Sequence, residues 1–156
     1  MRATFSARIG LMGVEVRHVL LLLGGVVLLL AGCDSAHMTA YTPVDQKTSV
    51  SAKVLYEAAV ASLQDNGYNL EKQAPATFEI TTVQRTHNVS ELSHTKYHYV
   101  WNVSAADGRL GIKLTCEMNS GAHATKFEPC GDKAPQHLLD EQQKLRDAIL
   151  KQAHGS

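Results

Sequence analysis

Cys116, His123, Cys130 and His137 recur at intervals of seven residues. Two thiols and two imidazoles suit zinc, whose structural sites are tetrahedral and built from sulfur and nitrogen. No CxxC pair accompanies them, and nothing in metal chemistry asks for that even spacing. The same two cysteines could instead be joined to each other, and the compartment decides between these uses. His87, His94 and His98 gather near one β-prone stretch. On a strand rising about 3.3 Å per residue, His94 and His98 share a face but stand about 13 Å apart, too far for one ion, so they read as solvated side chains. Tyr97, Tyr99 and Trp101 alternate through the same stretch. They are either the buried face of a central strand or, turned outward, a stacking platform for a glycan or another apolar ligand. No GxSxG, HExxH or P-loop pattern occurs, so no catalytic residue, metal ligand set or cofactor is assigned.

The first 33 residues indicate the compartment. Arg2, Arg8 and Arg17 precede an unbroken apolar run over 19–30, followed by the small pair Ala31 and Gly32. This is the layout of an export signal. The run falls short of the roughly 20 apolar residues needed to cross a hydrocarbon core. Met12 is a second candidate start, since 12–32 alone holds a basic flank and the whole apolar run. Leu30-Ala31-Gly32-Cys33 resembles the lipobox of bacterial lipoproteins, in which the cysteine thiol receives a diacylglyceryl group and the chain is cut just before it. The resemblance covers residues 1–33 only. It implies lipid attachment at Cys33, removal of residues 1–32, and a sorting role for Asp34, which in enteric bacteria resembles an inner-membrane retention signal. Each buried methylene contributes about 0.8 kcal/mol, so two or three acyl chains hold a protein to a bilayer where one does not.

Cleavage there leaves 124 of the 156 residues, enough for one domain and too few for two. The 15 basic and 15 acidic residues lose Arg2, Arg8, Arg17 and Glu15, leaving 12 against 14. A net charge near −2 excludes nucleic acid as a partner, which would call for clustered Lys and Arg. With Cys33 given to lipid, Cys116 and Cys130 remain as an even pair in an oxidising compartment, the setting in which disulfides form. Closing a loop of about 15 residues stabilises a fold by roughly 3 kcal/mol on the chain-entropy model.

The elements that must position these residues are set by periodicity. Residues 33–47 show neither helical nor strand period and read as the lipidated cysteine and a flexible tether. Across 49–66, Val50, Val54, Leu55, Ala58, Ala59 and Leu63 recur at helical spacing, and Asn66-Gly67 supplies the stop. Alternation from Tyr68 and again over 77–85 marks two strands, and 86–93 has no clear period. The stretch 96–104 is a third strand, and Asp107-Gly108 is a type I′ hairpin signal leading into a fourth through Leu110, Ile112, Leu114 and Cys116. After a Gly-, Asn- and Ser-rich loop, Pro135 stands where a first helical residue would, and Leu138, Leu145 and Ile149 mark a second helix.

The order α-β-β-β-β-α predicts an α+β two-layer sandwich over residues 48–156, an antiparallel four-stranded meander with both helices on one face. The expected function is that of a non-enzymatic binding or assembly module. It would be lipid-anchored to the inner or outer membrane of a bacterial envelope, face the periplasm, and have the membrane and an envelope protein or cell-wall component as partners. Two alternatives use the residues above: a glycan- or cell-wall-binding module built on Tyr97, Tyr99 and Trp101, and a zinc-dependent hydrolase. No cofactor is expected beyond the lipid on Cys33.

Overall fold

A computed structural model describes residues 38–90, 94–119 and 125–155. The chain divides into two compact units, Met1–Ser35 and Ala36–Ser156, and all the described residues belong to the second. In chain order they form β1 (Met38–Ala40), β2 (Val44–Lys47), α1 (Ala52–Asp65), β3 (Leu70–Ala74), β4 (Glu79–Thr82), β5 (Arg85–Ser90), β6 (Thr95–Ala106), β7 (Arg109–Asn119), β8 (Glu128–Pro129), β9 (Lys133–Pro135) and α2 (Gln136–Gly155). The fold is α+β, with antiparallel strand pairs and two helices.

The β6–β7 hairpin is the spine, paired without a break from Lys96↔Asn119 to Ala106↔Arg109. Strands follow the order β2-β7-β6-β4-β3, with β5 also paired to β6 and β8 to β7. β4 lies on Ser104 to Asn102 of β6, and β5 lies on Tyr99 to Thr95 of the same edge. Where β4 hands over to β5, the Trp101 N–H would be left without a strand partner. It donates instead to Thr82 Oγ1 at 3.0 Å, which satisfies a buried donor that would otherwise carry the full desolvation cost.

Strict alternation along β6 places Tyr97, Tyr99, Trp101, Val103 and Ala105 on its buried face. Leu110, Ile112 and Leu114 of β7 extend that surface. α1 adds Leu55, Tyr56, Ala58, Ala59 and Leu63, and α2 adds Leu138, Leu145 and Ile149, to the same cluster. Buried positions of α2 fall at Leu138, Gln142, Leu145, Ile149 and Ala153, one stripe at helical spacing. α1 stops where Asn66-Gly67 signalled: Gly67 has φ +73°, and Tyr68 N–H returns to the Leu63 carbonyl at 2.9 Å.

Several expectations are corrected. The tether over 33–47 does not survive beyond residue 37: β1 pairs with β9, β2 pairs with β7, and Tyr41 between them is tied into the core. Strands of three and four residues are too short to show a period. One seven-stranded sheet and a separate β1–β9 pair replace four strands, so strands also precede α1. The aperiodic 86–90 is strand β5, whose polar side chains carry no alternation and whose extended form is imposed by β6. In the β6–β7 turn only Gly108 has positive φ, +71°, so the turn is not type I′, which needs it at both positions. Pro135 closes β9 and the helix begins one residue later.

Asp107 keeps its negative φ and serves another purpose. Ser51 occupies the N-cap of α1 but makes no side-chain cap bond. The Ala52 N–H donates instead to Asp107 Oδ1 at 3.0 Å. A carboxylate from the hairpin tip thus caps a helix 55 residues away in sequence, where the positive end of the helix dipole favours it. Asp107→Ala should lower unfolding stability by about 1 kcal/mol and Asp107→Asn by less, read from urea denaturation. An unchanged midpoint in the alanine variant would show that the cap contributes nothing.

Candidate functional site

The odd-numbered face of β6 is closed by the helices, and the even-numbered face is left partly exposed. Register puts His98, Val100, Asn102 and Ser104 of β6 beside Glu117, Thr115, Lys113 and Gly111 of β7, with Thr81 and Glu79 of β4 on the far flank. Thr81 Oγ1 donates to Asn102 Oδ1 at 3.2 Å, and Asn102 Nδ2 donates to Thr115 Oγ1 at 3.0 Å. The result is a polar ladder across three strands that fixes the amide orientation of Asn102. A shallow groove of about 470 Å³ runs over this face, its walls including Pro43, Lys72, Thr81, Asn102, Ser104 and Lys113. A Cβ on Gly111 would lie 2.5 Å from Ser104 Oγ, so a larger residue there would have to turn that hydroxyl aside. Lys72 Nζ lies 3.9 Å from Glu79 Oε2 in an exposed pair that contributes little to stability. Lys113 has no ion-pair partner among the described residues.

At the other end of this face His98 stacks on Phe127, ring centroids 3.6 Å apart and planes 13° from parallel. Phe127 is held there by the residues on its C-terminal side. β8 pairs with Glu117 and Met118, and Cys130 is joined to Cys116 by a disulfide with a Cα–Cα separation of 5.4 Å. The Cys130 N–H also donates to the Cys116 carbonyl at 3.0 Å. The predicted bridge therefore ties 128–130 to the sheet and sets an aromatic ring on the face that, among the described residues, carries no helix.

The bridge overturns the zinc grouping. Both sulfurs are spent in it, and a metal needs thiolates. His123 lies outside the described residues, and His137 stacks on His87 instead. Among the described residues no three His, Cys, Asp or Glu side chains come close enough to share an ion. His94 is not on a strand with His98: it precedes β6 in a turn at φ +48°. Cys33 and Asp34 lie outside the described residues.

The outward aromatic platform is also corrected. Tyr97 and Trp101 are fully buried and Tyr99 is 7 % exposed, because the phase of β6 turns all three toward α1 and α2. Trp101 Nε1 donates to the Tyr68 hydroxyl at 2.9 Å. The Arg85 guanidinium sits 3.7 Å over the Tyr68 ring and hydrogen-bonds the Gly67 carbonyl. These aromatics are core, and the ring that does reach the open face is Phe127. Spacing could not reveal it, since it is placed by β8 and the disulfide.

Tyr41 was missed altogether by sequence reasoning. Its hydroxyl accepts from the Leu114 N–H at 2.6 Å and from Gln142 Nε2 at 3.4 Å. β2 reaches only Ile112 of β7, so the phenol serves the next edge donor. Burial pushes the Tyr41 pKa up, opposed by the hydrogen bonds to Leu114 and Gln142.

No family model matches the chain, and no curated protein matches it. Among solved structures it is similar to a TBP-like protein from Parabacteroides distasonis, at 11% identity and TM-score 0.53, over 72% of this chain and 93% of that one. A DUF4468 family protein from Bacteroides ovatus is 12% identical, with TM-score 0.45 over 74% of this chain and 85% of that one. Ara h 8.0201 is 15% identical, with TM-score 0.43 over 77% and 100%. The first shows the α+β fold alone. The other two carry no argument.

An unreduced digest should yield the Cys116 and Cys130 peptides as one linked species by mass spectrometry. Reduction should cost the domain roughly 3 kcal/mol in denaturant titration. Free alkylatable thiols at both positions in protein isolated without reductant would refute the bridge.

Proposed function

We propose that the chain is exported, cut before Cys33 and held by lipid at a bacterial envelope membrane, and that it acts there as a non-enzymatic binding or assembly module. The finer fold reading is a helix-backed sandwich whose central strands are β7-β6-β4-β3, working through its helix-free face. One observation carries the binding role: that face gathers the Thr81–Asn102–Thr115 ladder, Lys72, Lys113 and the His98–Phe127 stack on one antiparallel sheet. Its hydrogen-bonding groups suit a polar partner, an envelope protein or a cell-wall component. The Leu-Ala-Gly-Cys motif behind the apolar run supports the anchor, and the disulfide is the kind that forms in an oxidising compartment. Four residues lie between Cys33 and Met38, which makes five steps along the chain. At 3.3–3.6 Å per residue they reach at most about 18 Å, so the domain works close to the bilayer. Asp34 would bear on the choice between inner and outer membrane.

Two measurements test this separately. Cys33→Ser should abolish labelling by radioactive palmitate, and continued labelling would remove the anchor. Lys113→Glu should weaken capture of the native partner from solubilised envelopes by about tenfold, equivalent to about 1.4 kcal/mol, while far-ultraviolet circular dichroism stays unchanged. Capture insensitive to Lys113 and to Asn102→Leu would remove the helix-free face from the proposal.

A further inference from the structure

His87 and His137 meet on the side of the sheet that carries the helices. His87 lies opposite Tyr97 in the β5–β6 register, so it points toward α2. His137 is the second residue of α2. Their ring centroids are 4.2 Å apart with planes tilted by 36°, and Tyr97 presents its ring edge to His137 at 6.4 Å. Both histidines are exposed, so protons reach them. We propose that this imidazole pair is an acid-sensitive latch between β5 and the first turn of α2, closed when both rings are neutral and opened when both are protonated.

Among the described residues, the groups that face His137 support this. From β5 it faces His87, and from β6 Tyr97, whose hydroxyl is turned to Met38 Sδ of β1 at 3.7 Å. On α2 the nearby charge is Asp140, itself held by Gln136 Nε2 at 2.9 Å. Burial and the charge of His87 lower the pKa of His137, and Asp140 opposes them without reversing the result. The first turn of a helix is also the positive end of its dipole, which disfavours a cation there. A histidine whose folded-state pKa lies below its ordinary value, about 6.5, stabilises the closed seam fully above that value and loses the contribution as pH falls through the lowered one.

The latch has a defined reach. β9 runs directly into α2 at Pro135–Gln136 and pairs with β1 through Met38↔Pro135 to Ala40↔Lys133. Freeing the first turn of α2 therefore loosens the β1–β9 pair, whether or not Cys33 carries lipid.

Amide hydrogen exchange on the exported, disulfide-bonded protein tests the latch at about pH 7.5 and about pH 5, corrected for intrinsic exchange rates. Protection over 38–41 and 133–140 should fall by about tenfold in acid in the native sequence and stay constant in His137→Phe, which keeps a ring but cannot charge. His87→Phe guards against a folding defect in that variant. It should also remove the acid response, and it should raise the midpoint of His137 in an imidazole NMR titration. Protection that is independent of pH in the native protein, an acid response that persists in either phenylalanine variant, or a His137 midpoint unmoved by His87→Phe would overturn the latch.

Discussion

The phase of β6 is the constraint on which the rest of the structure depends. Side chains alternate across a strand with period two, so a slip of one residue would exchange its faces entirely. Here the alternation is unequal in chemistry: Tyr97, Tyr99, Trp101, Val103 and Ala105 on one side, Lys96, His98, Asn102 and Ser104 on the other. Burying the first set under two helices is driven by apolar area, at roughly 25 cal/mol per Å². The second set is then left in solvent as a consequence. Core and candidate binding face are thus one choice, made once along twelve residues.

A sheet assembled from short strands of unequal length leaves backbone donors wherever a neighbour runs out, and this fold fills those gaps with side chains from distant segments. Thr82 takes the Trp101 N–H between β4 and β5, Tyr41 takes the Leu114 N–H beyond the end of β2, and Asp107 takes the Ala52 N–H at the start of α1. Among the described residues no buried side-chain nitrogen or oxygen lacks a partner. Each of these bonds is modest in net free energy but costly to leave unmade. Together they make the placement of β2, α1 and the hairpin tip interdependent, since losing one strands a donor in another.

The parts legible in the sequence were those with enough repeats to show a period: the long hairpin, both helices, the Asn66-Gly67 stop and the pairing of two cysteines. The parts that were not legible depend on residues far apart in the chain. β1 and β2 show no alternation over three and four residues, and they become strands because β9 and β7 offer edges and Tyr41 reaches a buried amide. Most of β5 reads as loop because Thr86, His87 and Asn88 are polar on both sides. Tyr97, Tyr99 and Trp101 were legible as an alternating stripe, but direction is decided by which side the helices cover. Asp107 looked like a turn residue and is also a helix cap. For the candidate site, the even face of β6 could have been found by following the polar half of the same alternation. Phe127 could not, because its position is inherited from the covalent bond at Cys130.

Two histidine contacts at the same end of the sheet show how the faces differ in their response to protons. On the open face His98 lies over Phe127, a ring placed by β8 and the disulfide. On the helix face His87 lies against His137, and protonation there sets two like charges about 4 Å apart, where attraction becomes repulsion. The disulfide fixes Phe127 independently of pH, whereas nothing covalent holds the first turn of α2 to β5. Acid therefore strains the helix side of this end and leaves the open side in place. A domain built this way can change how β1 is held without rearranging the opposite face of the sheet.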